Sequence, residues 1–154
     1  MGEPPVLSVR GLRVAYGGQP VVDSMSVEVA PGRCLGVIGE SGAGKSQAFL
    51  ALLGLSGAGA AIRGEARLGS EDLLGADAVR LRGRRVAMIF QDPLTSLTPH
   101  LRVGEQIAES LVVHRGQTRE EAMRTAEGLL EQVQVDDAPR RLRQYPHQLS
   151  GGMR

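Results

Sequence analysis

The sequence predicts an α/β fold that opens on antiparallel strands, turns around a glycine-rich anion-binding loop and ends in helices. Three observations predict it. Before Pro31, residues 24–29 alternate in polarity with a period of two. Residues 39–46 read G-x-x-x-x-G-K-S between an apolar run and a helical pattern. Beyond Gln91, apolar residues recur three and four positions apart.

In chain order, residues 6–16 read as a strand, with Gly17-Gly18-Gln19-Pro20 as a turn. Met25, Val27 and Val29 alternate with Ser24, Ser26 and Glu28, which predicts a half-buried second strand. Pro31-Gly32 turns the chain into 34–38, a continuous apolar run of the kind found in buried parallel strands. The lone cysteine, Cys34, lies in that run and reads as inert core packing in a reducing compartment. A helix is expected from Lys45 to about Leu55, a strand over 61–68 and a short helical stretch up to Leu81. Residues 86–90 read as another buried strand. Ile107, Ala108, Leu111 and Val112 form one helical stripe. Thr118 and Glu121 form a capping box, and it opens a helix whose Ala122, Ala126, Leu129 and Val133 share a face. Both stripes read as core packing, and the arginines of 80–85 and 140–143 as solvated faces. The chain divides into residues 1–90, strands and anion loop, and 91–154, mainly helical.

Composition narrows the function classes. The 154 residues carry a net charge of +1, so no nucleic-acid partner is expected. No apolar run is long enough to cross a bilayer, and the N-terminus has no signal-peptide pattern. The 18 basic residues include a single lysine, Lys45. Lysine is a compact ammonium on a thin stem, suited to a place where a planar guanidinium would not fit.

That place is the loop Gly39-Glu40-Ser41-Gly42-Ala43-Gly44-Lys45-Ser46. Its glycines let backbone N–H groups converge on phosphate oxygens, and the following helix aims its positive end at the same anion. Lys45 is placed to reach the β- and γ-phosphates, and the Ser46 hydroxyl to ligate Mg²⁺. A chance glycine-rich turn is the bland alternative. The strand-loop-helix context and the position of the only lysine oppose it.

Several further features, in order, resemble the ATP-binding cassette (ABC) family. Tyr16 resembles its adenine-stacking aromatic, with an ordinary strand tyrosine as the alternative. Gln91 looks like the Q-loop glutamine at Mg²⁺, and Leu149-Ser150-Gly151-Gly152 is similar to the signature motif. Residues 91–99, QDPLTSLTP, with 145–154, YPHQLSGGMR, resemble the ATPase subunits of dipeptide, oligopeptide and nickel importers. Thr98 departs from the asparagine usual in that group. The resemblance implies a P-loop NTPase of ABC type with an antiparallel β-subdomain and an inserted helical subdomain. It implies ATP and Mg²⁺ as cofactors, bound at Tyr16, residues 39–46, Gln91, Ser150, Gly151 and Gly152. It also implies a peripheral place on the cytoplasmic face of the inner membrane. Expected partners are transmembrane permease subunits, a second ATPase subunit arranged head to tail and, indirectly, an extracytoplasmic substrate-binding protein.

In the family a Walker B strand with an Asp-Glu pair and a switch histidine follow the signature. None of His100, His114 and His147 lies beyond it. The chain therefore reads as an N-terminal fragment with its C-terminal part missing, with no catalytic residue of its own, expected to bind but not hydrolyse ATP. Three readings stay open beside peptide import: nickel or another solute, a non-catalytic nucleotide-binding module, and a complete small P-loop kinase or NTPase using Asp92 as metal ligand.

Overall fold

The computed structural model describes residues 4–75, 78–90 and 96–150. The chain forms two compact units, Met1–Val86 and Ala87–Arg154.

The first unit is built on a hairpin of β1 (Leu7–Tyr16) and β2 (Gln19–Val29). Gly17 and Gly18 both have positive φ, 55° and 84°, which suits a two-residue hairpin turn, and Tyr16 pairs with Gln19 across it. The helix α1 (Lys45–Leu52) follows, then β3 (Ala60–Leu68), β4 (Glu71–Asp72) and the short α2 (Ala78–Leu81). The sheet order is β2-β1-β3-β4, antiparallel throughout.

Strand β1 is central, and its apolar residues do not alternate strictly. Val9, Leu12 and Val14 are all buried, although Val9 and Leu12 stand three apart. A bulge restores the phase. Gly11 and Leu12 lie between the register pairs Arg10↔Glu65 and Arg13↔Arg63, while β3 has only Gly64 between the same pairs. Gly11 turns with φ 57° and donates its N–H to Ser26 Oγ at 2.9 Å. Gly64 sits opposite with φ 114°, where a Cβ would lie 2.6 Å from the Gly11 carbonyl oxygen. The inner face of the sheet packs Val9, Leu12, Val14, Val22, Ala66 and Leu68 against Ala48, Ala51 and Leu52 of α1. Full burial of each large aliphatic side chain stabilises by roughly 1.5–3 kcal/mol.

Two expected strands are absent. Residues 33–40 form no strand and are exposed, Ile38 at 96% and Cys34 included, so Cys34 is not core packing. In 86–90, Val86 makes one isolated bridge to Arg82, while Ile89 is 96% exposed. An apolar run becomes a strand only where another strand takes up its N–H and C=O groups. No described strand lies beside either run. Arg82 also departs from a solvated face: it is half-buried, with its Nε enclosed and unbonded.

The second unit is helical: α3 (Val103–Arg115), α4 (Arg119–Gln132) and α5 (Ala138–Arg143), then a 3₁₀ turn at Pro146–Gln148. Ala108 and Leu111, Ala122 and Ala126, and Leu142 make its core. Small residues allow close approach. A Cβ at Gly104 would lie 2.8 Å from the Leu142 carbonyl oxygen, and Val103 N–H donates to Gln144 O at 2.9 Å. The stripes fade toward their C-terminal ends, where Val112 is 38%, Leu129 36% and Val133 68% exposed. Before α3, the Gln106 side chain clasps the turn at 98–101: its Oε1 accepts from Thr98 N–H, and its Nε2 donates to the carbonyls of Thr98 and Leu101.

The capping box is formed as the sequence predicts. Thr118 Oγ1 accepts from Glu121 N–H, and the Glu121 carboxylate accepts from Thr118 N–H at 2.9 Å and Oγ1 at 2.8 Å. The backbone bond from Thr118, then its hydroxyl, and to a lesser degree Arg124, hold the Glu121 carboxyl below its ordinary range. A lowered folded-state pKa stabilises above the unfolded value, and that stability is lost as pH falls through the folded one. Thr118→Ala removes the hydroxyl that caps Glu121 N–H and should lower the unfolding temperature near neutrality. Thermal unfolding should show the Glu121→Gln deficit shrinking as pH drops below the carboxylate range. A deficit constant with pH would contradict the ionised cap.

Candidate nucleotide-binding site

The loop of residues 39–46 leaves an exposed segment and ends by docking on the sheet. Ala43 N–H donates to Glu40 O at 3.2 Å, closing a turn. Gly42 and Gly44 have φ of 85° and 80°, a region costly for side chains. Gly44 also has no room for one. A Cβ there would collide with the Val21 carbonyl oxygen and stand 3.3 Å from Val22 Cγ2. Gly44 is the N-cap of α1, and no side chain caps that end. The first-turn N–H groups of Lys45, Ser46 and Gln47 thus face outward without a side-chain acceptor, the arrangement that receives an anion.

Lys45 Nζ lies over the same loop, donating to Gly39 O at 2.6 Å and Glu40 O at 2.7 Å. The ammonium is held within the loop by acceptors that a phosphate oxygen could replace. Ser41, Gly42, Ala43 and Ser46 are exposed. Among the described residues, no three His, Cys, Asp or Glu side chains cluster to hold a metal. The Ser46 hydroxyl is exposed in the same first turn, one residue beyond Lys45.

Tyr16 stands at the end of β1, and the fold brings it to the loop's helix. Its hydroxyl donates to Gln47 Oε1 at 2.9 Å and accepts from Gly57 N–H at 3.3 Å. Gln47 escapes the sequence reading, because a glutamine in a first helical turn carries no periodic or motif signal of its own.

Gln91, Asp92, Gly151 and Gly152 lie outside the described residues. Ser150 is exposed, just after the buried Leu149 in the helical unit. Of the histidines, His100 is exposed, His114 half-buried, and His147 stacks on Tyr145 with ring centroids 5.8 Å apart.

Residues 22–154 match the family model described as ABC transporter. The chain belongs to the ABC transporter family. It is 39% identical over 156 residues to the oligopeptide transport ATP-binding protein OppD of Escherichia coli, covering 97% of this chain and 46% of OppD. A putative peptide import ATP-binding protein of Brucella melitensis is 40% identical over 169 residues, covering 100% of this chain and 50% of that protein. The glutathione import ATP-binding protein GsiA of Salmonella typhimurium is 45% identical over 163 residues, 97% of this chain and 26% of GsiA. The chain thus spans half the length, or less, of these curated relatives. A solved structure, an ATP-binding subunit of an ABC transporter, superposes with a TM-score of 0.70 at 25% identity, over 96% of this chain and 57% of that one. The family fold expected from the sequence therefore stands, with the antiparallel sheet and helical unit in place. Among the described residues no helix is long and apolar enough to cross a membrane.

The motif glycines are not equivalent. A Cβ at Gly39 would meet Ala43 Cβ at 3.5 Å, an ordinary contact, whereas Gly44 admits none. Gly44→Ala should lower the thermal unfolding temperature sharply, by the equivalent of more than about 1 kcal/mol. Gly39→Ala should change it little. Equal effects of the two substitutions would mean that α1 is not docked through Gly44.

Proposed function

We propose that this chain is the MgATP-binding part of an ABC importer ATPase that powers peptide uptake across the cytoplasmic membrane. The observation that carries the nucleotide reading is the Lys45 ammonium, held 2.6 and 2.7 Å from the loop carbonyls beside the uncapped first turn of α1. A triphosphate brings acceptors to both. Its oxygens would take the free N–H groups of the first turn, and Lys45 would exchange backbone carbonyls for β- and γ-phosphate charge. Gly39, Glu40, Ser41, Gly42, Ala43, Gly44, Lys45 and Ser46 form this cradle, and Tyr16 offers a ring face to the base.

Magnesium would neutralise phosphate charge, with Ser46 and Gln91 as its side-chain contacts. Ser150, Gly151 and Gly152 are assigned to the nucleotide held by a second ATPase subunit, in a head-to-tail pair. Permease subunits are the direct membrane partners, and an extracytoplasmic binding protein acts through them. The chain is placed as a peripheral protein on the cytoplasmic face. Peptide is favoured as the transported class by the relatives named for oligopeptide and peptide import, with nickel or another solute left as the alternative. The family match along residues 22–154 disfavours a complete small kinase built on Asp92. No general base is assigned within this chain.

Lys45→Ala should abolish MgATP binding in calorimetric titration. Lys45→Arg should weaken it at least about tenfold, since the guanidinium fork is wider than the ammonium that the loop encloses. Wild-type affinity in either variant would remove the basis for the nucleotide reading.

A further inference from the structure

The hydrogen bond between Tyr16 and Gln47 joins two parts of the site that the sequence leaves separate. Tyr16 closes β1, and Gln47 stands in the first turn of α1, two residues beyond Lys45. A phenol hydroxyl has one proton to give and lone pairs to accept with. Here the proton goes to Gln47 Oε1 at 2.9 Å, and Gly57 N–H reaches the oxygen at 3.3 Å. Both residues are half-buried. A Cβ at Gly57 would lie 3.8 Å from Tyr16 Cε1 and from its hydroxyl oxygen, so the 54–59 connection lies against the hydroxyl end of the ring.

We propose that Gln47 is a positioning residue for the nucleotide base, fixing the Tyr16 ring through its hydroxyl so that the stacking face stands at a set place relative to the phosphate loop. The inference rests on the nucleotide reading above and deepens it. Ring stacking needs one orientation of the aromatic side chain, and a ring free to turn must lose that freedom when ligand binds. Anchoring the hydroxyl on the helix that carries Lys45 removes that loss beforehand. It also ties the base-binding face to the phosphate-binding turn by a single side chain. Gln47 acts through Tyr16 and needs no contact with phosphate, so its effect should depend on the presence of a base.

That dependence gives the test. In the full chain, Tyr16→Phe, Gln47→Leu and the double variant are titrated with MgATP and with magnesium tripolyphosphate, which has the phosphates and no base. Gln47→Leu should bind MgATP about three- to tenfold more weakly, the range for one lost hydrogen bond, and Tyr16→Phe at least as weakly, since it also gives up the bond from Gly57 N–H. Tripolyphosphate affinity should stay within about twofold of wild type, below the effect of one such bond. The double variant should be no weaker than the weaker single, because both remove the same bond. Equal losses for both probes in Gln47→Leu would place Gln47 on the phosphates and overturn the inference. Additive losses in the double variant, or wild-type MgATP affinity in Tyr16→Phe, would overturn it as well. A wild-type chain that binds neither probe would sink the nucleotide reading and this inference with it. Binding of both probes with no base-dependent difference between variants would sink the inference alone.

Discussion

Gly44 lies so close to the Val21 carbonyl that no side chain can stand between them, and the arrangement of the first unit follows from that contact. The approach sets the start of α1 against the backbone of β2. From there Ala48, Ala51 and Leu52 reach the core shared with Val9, Leu12, Val14 and Val22. With the buried face of α1 committed to the sheet, its first turn is left facing outward. Lys45 then folds back over the loop, and Gln47 reaches the end of β1. A positive φ at Gly44 makes the turn from loop to helix, and the missing Cβ makes the docking. One residue therefore couples the scaffold to the candidate site.

The antiparallel sheet matters as a platform rather than as a source of polar groups. The bulge at Gly11 brings Val9, Leu12 and Val14 onto one face, so β1 presents an unbroken apolar surface to α1 and still ends in Tyr16 beside Gln19. The helical unit is organised differently. Its core is made of small residues, Ala108, Ala122 and Ala126, with Leu111 and Leu142 filling between them. Close helix packing of this kind leaves little apolar area to bury, which gives the local devices more weight. They are the Thr118–Glu121 cap, the Gly116 C-cap with φ 66°, and the Gln106 clasp on the turn at 98–101.

Much of this was legible from residue order, for identifiable reasons. The Gly17-Gly18 turn, the alternation in β2 and the capping box are local signals, and local signals survive without knowledge of tertiary neighbours. The turn at 39–46 was legible because its glycine spacing encodes backbone conformation, and Gly42 and Gly44 adopt the positive φ it calls for. Residues 34–38 and 86–90 were misread because an apolar run reports only a preference for burial. Whether a strand forms depends on a neighbour to pair with, and none is described beside either run. Val112, Leu129 and Val133 were overread for a related reason: periodicity marks a face, but it does not say where along that face the packing ends, and these three residues are exposed. The Tyr16–Gln47 bond was invisible because it links positions that only the docking of α1 brings together.

Amide hydrogen exchange along the chain, with and without MgATP, tests most directly whether the loop and the first turn of α1 are the phosphate site. Ligand should slow exchange at the backbone N–H groups of residues 42–47, which have phosphate oxygens to bond, and leave α4 unchanged. Unaltered exchange across 42–47 at saturating MgATP, or protection confined to the helical unit, would contradict the assignment.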